Sequence, residues 1–190
     1  MRYITYICAV IEWFSHATHK TVSSMTSPTI STTPIKNHNL GNSTWIFVYG
    51  TLMNGEWNHP VISGEYGVSY DSKFEGTTVS PFHLLYRNPA SFPIAVTCNS
   101  NSVDSRFSNT EVNVKGQVFD VCNNVLSRVR RLEGFPTWYN EKKVLVNTDC
   151  GKVVEAVMYV QEKHQFLRDE VLYFSTDGDF TSKKYVEVKF

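Results

Sequence analysis

Two short segments of the 190-residue chain carry residue types that could do chemistry together. The first is Tyr49-Gly50-Thr51-Leu52, directly after the apolar run Trp45-Ile46-Phe47-Val48. A glycine at a strand end lets the backbone turn sharply and approach a ligand closely. Successive N–H groups leaving a strand can form a concave site for a carboxylate or an oxyanion. The second segment is Leu132-Glu133-Gly134-Phe135-Pro136, with Tyr139 just beyond it. Glu133 falls in the last turn of a predicted helix, where the negative end of the helix dipole disfavours its charged form. Apolar neighbours strip water from it and act in the same direction. Both effects raise a carboxyl pKa toward neutrality, the range a general acid/base needs. Taken singly, the first string is an ordinary strand-to-loop turn and the second a surface glutamate near a helix end.

These segments need elements to hold them. The run over 45–49 reads as a buried strand followed by a tight loop. Residues 82–86 and 94–97 read as strands separated by a Pro/Asn loop. Val112, Val114, Gly116 and Val118 alternate with polar residues, the mark of a half-buried strand. Residues 143–146 and 153–160 form two further strands joined by a turn at Asp149-Cys150-Gly151. Between Val118 and residue 143, Val125, Val129 and Leu132 lie on one helical face. Asn123 or Asn124 is placed to cap that helix and Gly134 to stop it. Arg128, Arg130 and Arg131 lie mostly off the apolar face and read as a solvated surface that complements the helix C-terminus. A second helix is expected after Trp57. The class is α+β: a small, strongly curved mixed sheet or β-barrel packed by one or two helices.

Bulk properties narrow the function. The 18 basic and 18 acidic residues balance, so the chain lacks the basic footprint of nucleic-acid or anionic-membrane binding. A small molecule held by local geometry is the expected partner, and a monomer the expected state. Cys8, Cys98, Cys122 and Cys150 form no C-x-x-C pair or zinc pattern and suit a reducing compartment. His16 and His19 lie close together without a cysteine partner, so no metal site is expected. Residues 1–44 are read as a separate extension, with the folded domain spanning 45–190. Residues 15–44 are polar and too poor in apolar groups to offset their ordering entropy. The apolar stretch 3–14 follows Arg2, is interrupted by Glu12, and is too short to span a bilayer. It could act as an organellar or secretory leader, but a cytosolic location is favoured, with Met25 a second candidate start. Asn42-Ser43-Thr44 matches a glycosylation acceptor, which matters only in a secreted chain.

Taken in order, the strings resemble the γ-glutamylcyclotransferase-like superfamily, and most nearly its γ-glutamylamine cyclotransferase (AIG2-like) branch. Trp45 to Leu52 stands for the entry strand and binding loop. Gly55 with Asn58-His59 resembles the G-x-x-N-H that follows, and Phe92-Pro93-Ile94 the proline-bearing strand. Gly116-Gln117-Val118-Phe119 stands where many members have G-E-V-Y, and Glu133 matches the catalytic glutamate. Gln117 and Phe119 depart from the commoner Glu and Tyr, and the N-terminal extension is absent from compact members. The resemblance implies cyclisation of a γ-glutamyl group to 5-oxoproline without metal or organic cofactor. It implies that Glu133 moves the proton and that Tyr49, Gly50, Thr51 and Leu52 hold the substrate. Tyr139 and Phe135 would wall the pocket, or simply pack the core. γ-Glutamyl amines such as γ-glutamyl-ε-lysine are the expected substrates. γ-Glutamyl amino acids are the alternative, as is a binding module that has lost turnover.

Overall fold

The computed structural model describes residues 43–63, 73–88, 91–98, 107, 109–162 and 173–187. The expectations for residues 1–42, from the leader-like stretch to Asn42, lie outside the described residues. In chain order the elements are β1 (Ser43–Val48), α1 (Pro60–Ser63), β2 (Lys73–Thr78), β3 (Phe82–Tyr86), β4 (Ile94–Thr97), β5 (Glu111–Val112), β6 (Lys115–Cys122), α2 (Asn123–Leu132), β7 (Asn140–Thr148), β8 (Val153–Val160), β9 (Tyr173–Ser175) and β10 (Tyr185–Glu187).

Five strands close into a barrel in the order β1-β6-β2-β7-β8, and a second sheet runs β10-β9-β3-β4, with β5 on β3. The barrel closes because β1 is paired on both edges. It lies antiparallel to β6, with Val48 opposite Gln117, and parallel to β8, with Phe47 opposite Met158. Closure removes the unpaired edges that an open sheet would expose. Alternation in β7 buries Val144, Val146 and Thr148 and turns Leu145 to solvent. β3 is buried along its whole length, including His83, whose Nδ1 is hydrogen-bonded to Thr110 Oγ1 at 2.8 Å. The two bodies of apolar side chains form one continuous core.

Several local expectations need correction. The alternation over Val112–Val118 is two strands, because Asn113 and Val114 leave the ladder. The Asn113 amide donates to Thr78 O and Val79 O, and Val114 N donates to Thr78 Oγ1. Helix α2 starts one residue early, on Cys122, with no side-chain cap, so neither Asn123 nor Asn124 caps it. Its buried face is Val125, Leu126 and Val129, while Leu132 is exposed. Gly134 does end it, with φ +63°, a conformation that a side chain disfavours. The helix expected after Trp57 is the single turn α1, anchored by the fully buried Ile62. Among the described residues no helix is long and apolar enough to cross a membrane.

Candidate active site

The end of β1 feeds a loop whose backbone polarity is one-sided. The Gly50 carbonyl accepts from Met53 N at 2.9 Å, and the Thr51 carbonyl from Asn58 N at 3.0 Å. The Leu52 carbonyl accepts from His59 Nδ1 at 3.0 Å. Thr51 Oγ1 accepts from Asn58 Nδ2 at 3.0 Å, and Asn54 N donates to Gln117 Oε1 at 2.7 Å. The carbonyls are thus turned into the protein. The N–H groups of Gly50, Thr51 and Leu52 donate no hydrogen bond among the described residues. Three successive free donors are what an anion or oxyanion cradle requires. Gly50 is not in the left-handed region, so a sharp turn is not the reason for glycine. A Cβ there would stand 2.8 Å from Pro93 Cγ, so glycine is needed for the loop to pass the proline-bearing strand.

Tyr49 and Tyr139 are each 8% exposed. The Tyr49 hydroxyl donates to Tyr159 O at 2.7 Å and accepts from Ala95 N at 3.2 Å. Its phenol therefore clamps β1 to β8 and β4, leaving its ring face and backbone for the site.

Glu133 sits on a compact turn. Its N–H donates to Val129 O, and Phe135 N to Arg130 O at 3.0 Å. Trp138 N closes the segment onto Gly134 O at 2.9 Å. The residue is half-buried. Among the described residues its carboxyl makes no ion pair or hydrogen bond. Loss of water raises its pKa from 4.5 to about 7. The phenols of Tyr49 and Tyr139 are pushed up, first by burial and then partly by the Glu133 charge. Tyr159 is pushed up by burial and by Glu141, with a smaller contribution from Glu133. The Glu133 charge is thus felt by all three phenols, that of Tyr49 at the head of the donor loop among them. Phe135 is exposed rather than packed in the core, and the Arg130 guanidinium lies 5.6 Å from its ring centre.

The family model described as gamma-glutamyl cyclotransferase, AIG2-like, matches residues 46–182. The chain belongs to that family. A relative from Methanocaldococcus jannaschii, provisionally named a gamma-glutamylcyclotransferase, is 32% identical over 117 residues, covering 60% of this chain and 82% of its own length. A second, from Drosophila melanogaster and likewise provisionally named, is 22% identical over 115 residues, covering 60% of this chain and 68% of its own. The crystal structure of an AIG2-like protein from Mus musculus matches with a TM-score of 0.53 at 22% identity. It covers 66% of this chain and 83% of that one, a likeness of fold.

In this AIG2-like chain, several residues around the site escape a reading of the sequence. Arg130 keeps 42% of its side chain exposed, in line with a surface position, and there forms a two-pronged ion pair with Glu141 at 2.7 and 2.9 Å. Glu141 Oε1 also accepts from the Tyr159 hydroxyl at 2.8 Å. Arg87 lies near Tyr139 and offsets part of its upward shift. None of these carries a local motif, because each pairing joins separate elements. On the other flank of the loop, Met53, Asn54, Glu75, Gln117, Asp149 and Asp179 help to line a cleft of about 540 Å³. Neither Glu133 nor Gly50, Thr51 or Leu52 lines that cleft, which shares only Met53 and Asn54 with the loop region. Among the described residues no group of acidic, histidine or cysteine side chains is arranged to hold a metal ion.

Proposed function

We propose that the protein is a γ-glutamylamine cyclotransferase, converting γ-glutamyl amines such as γ-glutamyl-ε-lysine to 5-oxoproline and a free amine. The observation that carries this reading is the Glu133 carboxyl: unpaired among the described residues, raised by loss of water to a pKa of about 7, and electrostatically coupled to Tyr49, from which the loop of free N–H groups departs. A carboxyl of that pKa is divided between its acid and base forms near neutral pH, as a group that must act both ways requires.

The chemistry follows in balanced steps. Glu133 as carboxylate takes a proton from the substrate's α-ammonium group. The freed amine attacks the γ-carbonyl carbon, closing the five-membered ring and placing negative charge on oxygen. The N–H groups of Gly50, Thr51 and Leu52 are the donors for that charge. Glu133, now protonated, gives its proton to the departing nitrogen, and the bond to that nitrogen breaks as the carbonyl re-forms. The ring nitrogen still carries a second proton from the original ammonium; Glu133, a carboxylate again, takes it and passes it to the released amine, so the ring ends as a neutral lactam and one ammonium is released for the one consumed. Because nucleophile and electrophile share one molecule, holding the bent conformer supplies a large entropic advantage.

Two features favour the amine branch over its relatives: Thr51 in the loop and the Asn58-His59 pair, which braces Thr51 and Leu52 directly. The test is to incubate the purified protein with γ-glutamyl-ε-lysine, γ-glutamyl-alanine and glutathione and to measure 5-oxoproline. Preferred turnover of γ-glutamyl-ε-lysine is expected. Preference for γ-glutamyl-alanine would make the protein a γ-glutamylcyclotransferase on amino acids. Binding without product would make it a non-catalytic member.

A further inference from the structure

The hairpin between β3 and β4 touches both halves of the site. Its last ladder pair is Leu85 opposite Ile94, so Arg87 leaves one arm where Phe92 and Pro93 enter the other. The link turns at Asn88, whose carbonyl accepts from Ser91 N at 3.0 Å and from Ser91 Oγ at 2.8 Å. From the second arm, the Pro93 ring abuts the donor loop at Gly50, and Ala95 N donates to the Tyr49 hydroxyl. From the first arm, the Arg87 guanidinium carbon lies 6.0 Å from the centre of the Trp138 ring. That indole packs on Gly134, where an added Cβ would meet Trp138 Cδ1 at 3.1 Å. Gly134 directly follows Glu133. Tyr139 feels both neighbours: its phenol, raised mainly by burial, is pushed further up by the Glu133 charge and drawn back by Arg87. Arg87 is therefore a cation joined to the Glu133 turn through Trp138 and Tyr139.

The reaction fixes which part of a substrate can reach this cation. The departing nitrogen collects its proton from Glu133, so the chain on that nitrogen must run on from the Glu133 turn. Tyr49 and Tyr139 are buried and close the inner side. Trp138 is 52% exposed and Arg87 is half-buried, so the open direction runs past an apolar ring toward a guanidinium.

We infer that Trp138 and Arg87 form the subsite for the leaving amine, and that this amine bears a carboxylate: the indole receives its methylene chain and the guanidinium its carboxylate. A guanidinium meets a carboxylate with two parallel donors, and an aromatic ring offers a large apolar surface to an alkyl chain. Lysine released through its side-chain nitrogen meets both demands, with four methylenes and then a carboxylate. A plain diamine supplies the methylenes but brings an ammonium toward a like charge. The inference rests on the cyclotransferase reading and narrows its substrates from γ-glutamyl amines in general to those whose leaving amine ends in a carboxylate.

Two ligands isolate that carboxylate. γ-Glutamyl-ε-lysine and γ-glutamyl-cadaverine share the glutamyl half, the alkyl chain and the far ammonium, and differ by the leaving-side carboxylate. Binding is measured by calorimetry on the full chain carrying Glu133→Gln, so no turnover is needed, alone and combined with Arg87→Gln, Arg87→Lys or Trp138→Ala. The lysine ligand should bind roughly three- to tenfold more tightly than the cadaverine ligand. Arg87→Gln should abolish that preference by weakening the lysine ligand alone, Arg87→Lys should keep part of it, and Trp138→Ala should weaken both ligands. Equal binding of the two ligands, or binding of neither, would overturn the inference. So would an equal loss for both in Arg87→Gln, which would put Arg87 on the glutamyl carboxylate they share. If Arg87→Gln fails to fold, salt decides: a charge-based preference shrinks as ionic strength rises, and one that stays undiminished overturns the inference. The cyclotransferase reading has its own readout, since wild type that makes 5-oxoproline equally from both ligands would sink only the subsite.

Discussion

At the scale of single residues, Glu133 and Gln117 show how one environment makes a carboxyl useful and another makes an amide necessary. Glu133→Gln keeps shape and polarity but cannot carry a proton. It should lower kcat by roughly a hundred- to ten-thousand-fold with little change in KM, measured as 5-oxoproline formed from γ-glutamyl-ε-lysine. A variant that kept a tenth or more of wild-type turnover would remove Glu133 from the mechanism. Gln117 departs from the glutamate that the family resemblance leads one to expect, and its surroundings explain an amide there. Its carbonyl oxygen accepts from Asn54 N, and its Nε2 donates to Glu75 Oε1 at 2.9 Å. Glutamate could make the first bond but would set two carboxylates against each other at the second. Gln117→Glu should therefore destabilise the fold by about 1–3 kcal/mol, read from urea midpoints at pH 8. Tyr49 was expected to contribute to substrate binding. Its hydroxyl is committed to Tyr159 and Ala95, so its side chain serves the clamp and leaves only its ring face and backbone for a substrate.

At the scale of elements, the binding loop is held from two directions, and each hold gives a different failure. Asn58→Ala removes the Nδ2 bond to Thr51 Oγ1 while leaving the backbone bond from Asn58 N to Thr51 O. The loop should loosen without collapsing, raising KM roughly three- to tenfold with kcat less affected. Steady-state kinetics on γ-glutamyl-ε-lysine check this split, and an unchanged KM would mean that the brace is not used in binding. Gly50→Val acts through packing: its side chain would have to displace the Pro93 ring, so substrate affinity should be lost, measured by calorimetry with 5-oxoproline. The same elements show what sequence could and could not reveal. Strands β3 and β4 lie where their short, mainly apolar runs place them, and α2 is legible because its apolar face repeats at helical spacing. β2 is not legible: Lys73-Phe74-Glu75-Gly76-Thr77-Thr78 lacks alternation. Gly76 is there because a Cβ would meet Val146 Cγ1 at 2.6 Å and Asn147 O at 2.9 Å, a constraint set by a strand seventy residues away. The short β9 and β10 are fixed by pairing with β3 and with each other, not by patterns of their own. The Y-G-T-L and L-E-G-F-P strings were readable as local sequence. The Arg130–Glu141 pair joins a helix to a strand and was not.

At the scale of the whole molecule, the site leaves a signature in how folding stability depends on pH. Glu133 has a folded-state pKa of about 7 against 4.5 in the free residue. Between those values the native state keeps a proton that the unfolded chain has released, so this group's contribution falls as pH rises from about 4.5 to about 7 and stays low above. Glu141 runs the other way. Its hydrogen bond from Arg130, helped by Tyr159 and opposed by burial, holds its pKa below the usual carboxylate value. Its contribution is present above that usual value and is lost as pH falls through its folded pKa. The two trends leave maximal stability on the acid side of neutrality, with the Glu133 carboxylate a standing cost at physiological pH. Glu133→Gln removes that cost. The variant should be more stable than wild type at pH 8, by up to about 3 kcal/mol and less where water still reaches the carboxyl. It should match wild type near pH 4.5. Urea unfolding at the two pH values decides the matter: a variant that is less stable than wild type at pH 8 would show that the Glu133 charge is stabilised in the fold, and a group stabilised as a carboxylate could not return its proton to the departing amine near neutral pH.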